Sequence, residues 1–517
     1  MTMDQILTDQ ATDPAMHASD SELITKLIPI HSAPPEILSD IFLRCLPVDE
    51  LPRSSPNTAP ILLTHVCSLW RNVAVSTPDL WCRIEVGVGA KDVFEHTKGW
   101  HGYVKPHPRP SLDAKVLEQW TRRSGSMPLT VHIGYPAEPE LSYDGPFEII
   151  RNVAHRWRDM LFGLPTPYLQ RVVALIPTDT PLLESFAMND RSIPRWVSYR
   201  DEPPPKRPLS FNFVSSPLPL LQSLSIRAAV WFNFNTQLNA LQTLSLDHCR
   251  PSNSLEILRN CPNIEELTLV YYDLMRSDEL PRPESIILLS RLQKFRLVHE
   301  RYNHEYLGDE EFLEIGKLLR HLCLPSLKSF FYRIAILPGD EEVPAKWNYL
   351  SRLILRSNCS IEDLEFETIR IDAASMVKCL RLSPGLKHLG VTGAALGEKL
   401  VNALTTPLDH TITTFMCPLL ESFHLIHWDN TRNVDLKFAM EIARSRLCLP
   451  IGHQGRVARF SFIYDRFHES DLWRDLKRTC VFRSWLQLYT DCIENGLEPI
   501  SGIKWREDRK RKGLLWY

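Results

Sequence analysis

One short pattern, apolar-x-x-apolar-x-apolar, recurs eleven times along this chain and constrains its fold more than any other feature. It appears as LQRVVA (169–174), LESFAM (183–188), LQSLSI (221–226), LQTLSL (241–246), IEELTL (264–269) and LQKFRL (292–297). It continues as LKSFFY (327–332), IEDLEF (361–366), LKHLGV (386–391), LESFHL (420–425) and VARFSF (457–462). Any apolar-rich chain holds a few such matches by chance. Here many also share a lead-in, as in NCPNIEEL, CLPSLKSF, NCSIEDL, LSPGLKHL and MCPLLESF. A repeated strand that cannot bury its apolar side alone must stack on copies of itself, and the LxxLxL core is the strand signature of leucine-rich repeats.

Helical stripes lie between the strands at 252–260, 309–322, 347–357, 373–382 and 433–447, usually opened by a capping Asp, Asn or Ser. Strand plus helix, repeated, predicts an α/β solenoid: an irregular leucine-rich-repeat array with a parallel sheet on its concave face. The spacing is uneven, so insertions are expected, notably the proline-rich RDEPPPKRP at 200–208. Residues 471–497 read as a terminal helix capping the last open repeat.

Side chains alternate along a strand, so the x positions face outward. They include Ser225, Ser245, Glu266, Thr268, Lys294, Arg296, Phe331, Asp363, Glu365, His388 and His424, with Tyr272 and Trp428 just past their strands. Acidic and basic stretches alternate on this face, which suits a protein target better than nucleic acid. Tyr272, Lys294, Arg296, Phe331, Glu365, His424 and Trp428 are the candidate target contacts, with the aromatics as anchors.

Residues 33–84 read differently. Pro34 and Pro35 suit a helix start, and Ile37, Leu38, Ile41, Phe42, Cys45 and Leu46 form one apolar stripe. A proline- and serine-rich loop follows, then a second helix carrying Leu62, Leu63, Val66, Cys67, Leu69, Trp70, Val73 and Ala74, until Pro78 stops it. Leu80, Trp81 and Ile84 close a unit of three helical pieces. So short a segment cannot bury that much apolar surface by itself, which implies a partner or packing on the following domain.

APPEILSDIFLRCLP followed by LLTHVCSLWRNVAVSTPDLW resembles the F-box motif, in the form found in mushroom-type fungi. VLEQWTRRSGSMPLTVHI and HRWRDM, further on, are also typical of those proteins. The loop between the two helices is longer than in the compact animal form. The resemblance implies that the module docks a Skp-type adaptor and, through it, a cullin scaffold, while the repeats hold a target protein for ubiquitination. The matching positions are Pro34, Pro35, Glu36, Ile37, Leu38, Ile41, Phe42, Leu46, Val66, Cys67, Trp70, Leu80 and Trp81. An alternative is a scaffold of the same build that binds partners without directing ubiquitination.

The domains expected are a largely disordered tail (1–32), the F-box module (33–84), a transition segment with the first repeat-like units (85–168), the array (169–470) and a capping helix with a basic tail (471–517). The net charge of −3 in 517 residues gives no bulk attraction to nucleic acid or anionic membrane. No apolar run approaches the roughly 18–20 residues of a membrane span. The first 22 residues are acidic, unlike a secretory or transit leader. The twelve cysteines include no CxxC pair and read as reduced, mostly buried thiols in a cytoplasmic or nuclear protein. No phosphate loop, dinucleotide fingerprint, nucleophile elbow or HExxH is present, so no catalytic, cofactor or metal site is expected. The basic run KWREDRKRKG (504–513) reads as a solvated tail.

Overall fold

The computed structural model describes residues 30, 33–48, 50–88, 108–138, 140–176, 179–191, 209–213, 218–234, 236–272, 286–300, 316–334, 347–367, 371–392, 397–405, 416–427, 441–442, 445–446, 457, 459–464 and 498–499. The expected tail at 1–32, apart from Ile30, and the capping helix and basic run at 471–517, apart from two residues, lie outside these.

Among the described residues three short helices come first: α1 (Pro35–Arg44), α2 (Ile61–Val66) and α3 (Ser68–Ser76). The second helix expected from the sequence is thus two. Cys67 breaks it with extended backbone, φ −158° and ψ 174°, and its sulfur accepts the Trp70 amide hydrogen at 3.5 Å as the cap of α3. A 3-10 turn, Pro78–Trp81, leads straight into the first strand.

From there the architecture is α/β. Twelve strands of the main sheet alternate with a layer of helices and short strands behind it: β1 (Arg83–Gly87), β2 (Leu129–Gly134), β3 (Trp157–Leu164), β4 (Ser185–Asp190), β6 (Ser223–Arg227), β8 (Thr243–Asp247), β9 (Glu266–Tyr272), β11 (Lys294–Glu300), β13 (Ser329–Ile334), β14 (Asp363–Glu367), β15 (His388–Thr392) and β16 (Ser422–His427). With β17 (Arg459–Tyr464) and β18 (Glu498–Pro499) they make one 14-stranded parallel sheet whose spatial order follows the chain. Each strand pairs only with its predecessor and successor in that order, as a solenoid-like stack requires.

The layer behind the sheet holds α4 (Pro110–Arg123), α5 (Asp144–Asn152), α6 (Thr166–Val173), α7 (Pro251–Arg259), α8 (Tyr349–Ser357), α9 (Ala373–Arg381) and α10 (Glu398–Thr405). Two short strands, β5 (Leu209–Phe213) and β7 (Val230–Phe234), pair with each other between α6 and α7, where helices would otherwise lie. β10 (Ile287–Leu288) and β12 (Leu322–Cys323) pair in the same way further on. Behind the sheet Phe211 stacks on Phe232 at 5.6 Å, and its ring also meets Phe186 of β4 at 6.3 Å.

Ten of the eleven pattern matches are strands of the main sheet. Their register places Leu224, Leu244, Leu267, Phe295, Phe330, Leu364, Leu389 and Phe423 in one inward row, none more than 2 % exposed. The exception is LQRVVA, which is helix α6. Leu169, Val172 and Val173 are all buried there, a three-and-four spacing that suits a helix, and Pro167 sits in its first turn. The first repeat-like units expected within 85–168 have strands of the main sheet among them. β1, β2 and β3 join the same sheet, so Ile84 belongs to a strand and the sheet begins at Arg83. Gly87, Gly134 and Gly163 stand in register at the ends of these strands. Gly87 has φ +80°, and a Cβ there would lie 2.1 Å from the Gly134 carbonyl oxygen, so no other residue fits.

The helical module closes the first edge of this sheet. The Glu85 amide donates to the Pro52 carbonyl at 3.0 Å, and Arg53 forms a parallel bridge to Glu85 while its Nε reaches the Glu85 carboxylate at 3.0 Å. Trp81 is fully buried at the joint. Its indole N–H donates to the Ala74 carbonyl at 2.8 Å, its ring meets Trp120 edge-on at 4.8 Å, and the Arg123 guanidinium lies over it at 4.2 Å.

Three arginines tie successive turns of the stack together. Arg156 donates to the Met127 and Thr121 carbonyls and the Ser124 hydroxyl at 2.9, 3.2 and 2.6 Å, where α4 ends. Arg356, at the end of α8, donates to the Leu319 and Leu322 carbonyls of the preceding turn at 2.6 and 2.9 Å. Arg446 donates to the carbonyl of Leu404, in the last turn of α10, at 2.7 Å and to that of Met416, meeting acceptors that a helix end leaves over. Burial pulls Arg446 down to about 10, so it stays a cation at neutral pH.

Candidate functional site

Two surfaces carry the residues singled out from the sequence. The first is the outer side of the N-terminal module. α1 is apolar on both of its sides: Leu38 and Phe42 point inward and are fully buried, while Ile37 and Ile41 are 51 % and 38 % exposed. α2 repeats this with Leu63 inward and Leu62 and Val66 outward at 44 % and 52 %. Each outward pair is spaced four apart, so its members sit one above the other on the helix. Pro34, Pro35 and Glu36 are exposed beside the first pair. Cys67 and Trp70 are half-buried, and the Trp70 ring tilts against Phe42 at 4.9 Å.

The thirteen positions matched to the motif therefore divide. Leu38, Phe42, Leu46, Leu80 and Trp81 are buried and form the core of the module, so they cannot touch a partner while it is folded. Pro34, Pro35, Glu36, Ile37, Ile41 and Val66 remain available, and Leu62, which the motif did not single out, joins them. The helix pattern carried that signal: Leu62 precedes Val66 by four and lies off the Leu63 side.

The second surface is the outward side of the sheet. Register lines up Ala187, Ser225, Ser245, Thr268, Arg296, Phe331, Glu365, Gly390 and His424 across nine strands. The alternating charges seen in the sequence resolve into cross-strand pairs, the usual unit of sheet stabilisation. Lys294 meets Glu266 at 2.6 Å, Arg227 meets Asp247 at 3.4 Å and Arg333 meets Glu367 at 3.5 Å. The Arg296 guanidinium lies 3.9 Å above the Phe331 ring, and His388 bonds the Ser422 hydroxyl at 2.5 Å. His424 reaches the same hydroxyl at 3.2 Å.

Exposure changes along this row. Ala187, Ser225, Ser245, Thr268 and Arg296 are half-buried, whereas Phe331, Glu365 and His424 are 5 %, 0 % and 2 % exposed. Three expected target contacts, Phe331, Glu365 and His424, are therefore covered and not open to a target in this arrangement. Lys294 and Arg296 remain half-buried, like Ser245 and Thr268 beside them. Tyr272 is the last residue of β9, opposite Glu300, and not past the strand; Trp428 lies outside the described residues. Gly390 makes room for its neighbour, since a Cβ there would come within 2.8 Å of Glu365 Cγ.

Nine cysteines lie among the described residues, none in a disulfide. Burial pushes the thiols of Cys249, Cys379 and Cys417 up to about 12 and those of Cys82 and Cys359 up to about 11, which keeps them protonated and inert at neutral pH. Among the described residues no group of three or more His, Cys, Asp or Glu is placed to hold a metal, and no helix is long and apolar enough to cross a membrane. No protein-family model matches this chain, and no curated protein matches it either.

Proposed function

We propose that this chain is a non-catalytic substrate receptor of the F-box and leucine-rich-repeat type. In this reading a Skp-type adaptor docks on Pro35, Ile37, Ile41, Leu62 and Val66 and links the chain to a cullin-based ubiquitin ligase. The target protein lies on the outward side of the sheet.

One observation carries the proposal. A module that only capped the stack would be apolar inward and polar outward, because terminal repeats need a polar outer face for solubility. This one caps the sheet with Leu38, Phe42, Trp81 and Leu80, yet keeps two aliphatic pairs exposed on the other side. Exposed apolar surface maintained on a soluble module marks a partner site. The sequence motif names the partner class, and the half-buried row from Ala187 to Arg296 would offer a separate surface for a target.

Replacing the wild-type gene by an Ile37→Asp, Val66→Asp variant tests the degradative role. Proteins captured on the wild-type chain are expected to accumulate several-fold with the variant. Unchanged abundance of those partners, with capture intact, would leave the scaffold alternative standing and remove the degradative one.

A further inference from the structure

The adaptor reading leaves one feature of the module without a role: the proline- and serine-rich loop between α1 and α2. It carries Arg53, Ser54, Ser55 and Pro56 in succession, a serine followed by proline. Kinases of the proline-directed kind take a hydroxyl whose next residue offers no backbone N–H. The sequence holds seven Ser-Pro or Thr-Pro pairs, at Ser55, Thr77, Thr166, Thr180, Ser216, Ser383 and Thr406. Ser216 and Thr406 lie outside the described residues. Thr77, Thr180 and Ser383 are at most 9 % exposed, and Thr166 opens helix α6 with its hydroxyl donated to Asp190 at 2.7 Å. Among the described residues, Ser55 alone of these stands in an exposed, irregular loop, the kind of segment that modifying enzymes reach.

A phosphate on this loop would meet a cation that is only half engaged. Ser54, Pro56, Asn57 and Thr58 are exposed and Ser55 is half-buried. Ser55 Oγ accepts the Asn57 amide hydrogen at 3.3 Å, and the Thr58 hydroxyl donates to the Arg53 carbonyl at 3.4 Å, so the loop folds back on Arg53. The Arg53 side chain is 49 % exposed and holds the buried Glu85 carboxylate through Nε, while its two terminal nitrogens bond nothing among the described residues. That bond and the Glu85 amide's bond to the Pro52 carbonyl fasten the loop to β1. A phosphate brings a charge of about −2 and three acceptor oxygens, and it grips a guanidinium at two points where Glu85 grips it at one.

We propose that Ser55 is a phosphorylation site for a proline-directed kinase, and that its phosphate takes Arg53 from Glu85 and loosens the joint between module and sheet. In the transfer, Ser55 Oγ bonds to the γ-phosphorus of a nucleoside triphosphate and the bond from that phosphorus to the bridging oxygen breaks. The nucleoside diphosphate leaves with that electron pair, and the serine proton passes to the kinase's base. The site governs how firmly the module is set on the sheet. It stands apart from the adaptor surface, whose Ile37, Ile41, Leu62 and Val66 lie on α1 and α2.

Treating the full chain with a proline-directed serine/threonine kinase, ATP and Mg²⁺, and mapping the phosphopeptides, tests the site. Phosphate on Ser55, lost in Ser55→Ala, is the expected result. A peptide of residues 50–60 serves as the companion substrate. If the peptide is modified and the full chain is not, the folded loop is closed to the kinase; if neither is modified, the motif is not read. Either outcome overturns the proposal. Hydrogen exchange tests the consequence. The Glu85 amide should exchange at least about tenfold faster in the phosphorylated chain. Arg53→Gln should raise that exchange by itself and leave the phosphate little to add. Unchanged or slower exchange at Glu85 after phosphorylation would contradict the transfer of Arg53.

Discussion

Strands β6, β8 and β9 and strands β13 to β16 are built on the same inward rows yet present opposite outward surfaces. In the first stretch the outward row is small and half-open, Ser225, Ser245 and Thr268; in the second it is Phe331, Glu365, Gly390 and His424, and it is covered. The repeat pattern thus governs one side of each strand only. Stacking demands Leu, Phe or Ile inward because neighbouring turns share a core, whereas outward residues answer to whatever lies over them. A surface for binding is therefore not a property of the repeat, and has to be located strand by strand.

Substitutions can break or sharpen this contrast. Inward positions should respond alike in both stretches. Leu244→Ala and Leu364→Ala, both fully buried, should each cost about 2–5 kcal/mol in denaturant melts, the usual loss for a buried leucine. A marked difference between them would mean that the two stretches do not share one core. Gly390→Ala comes next. Its new methyl would press on a buried Glu365, an overpacking that costs about 1–3 kcal/mol. A neutral result there would show that the Glu365 side chain yields easily. The smallest effects belong to Ser245→Ala and Thr268→Ala, which should stay within about 0.5 kcal/mol. If they matched the leucines, the outward assignment of the open stretch would be wrong.

Much of the fold was legible because its physics is local. The inward row follows from alternation, and α7, α8 and α9 begin and end within two residues of the stripes at 252–260, 347–357 and 373–382. LQRVVA misled because its apolar spacing fits a helix as well as the strand pattern, and only Pro167 favoured the helix. The strands β1 to β3 were not located within the repeat-like segment because they lack the LxxLxL lead-in, although Leu129, Val131 and Ile133 alternate as a strand should. The arginines that tie the turns were illegible for another reason: their partners are backbone carbonyls about 30 residues distant or more, which no side-chain pattern records. At the candidate site, sequence named the right helices but could not separate Ile37 from Leu38. That separation depends on which side of α1 meets α3, a tertiary fact. Exposure on the sheet was likewise out of reach, since alternation fixes which side a residue faces and not how far it is buried there.

The central claim is that Ile37, Ile41, Leu62 and Val66 form a docking surface for a Skp-type adaptor. Isothermal titration of the full chain with purified adaptor tests it most directly, using Ile37→Asp with Val66→Asp as the comparison, since both residues are about half exposed and the core stays intact. The account predicts a one-to-one complex for the wild type. Affinity should fall at least about 100-fold in the variant, as two anchors worth ~1.4 kcal/mol each are lost, with the melting curve unmoved. A wild-type chain that fails to bind the adaptor, or a variant that binds it as tightly, would contradict it.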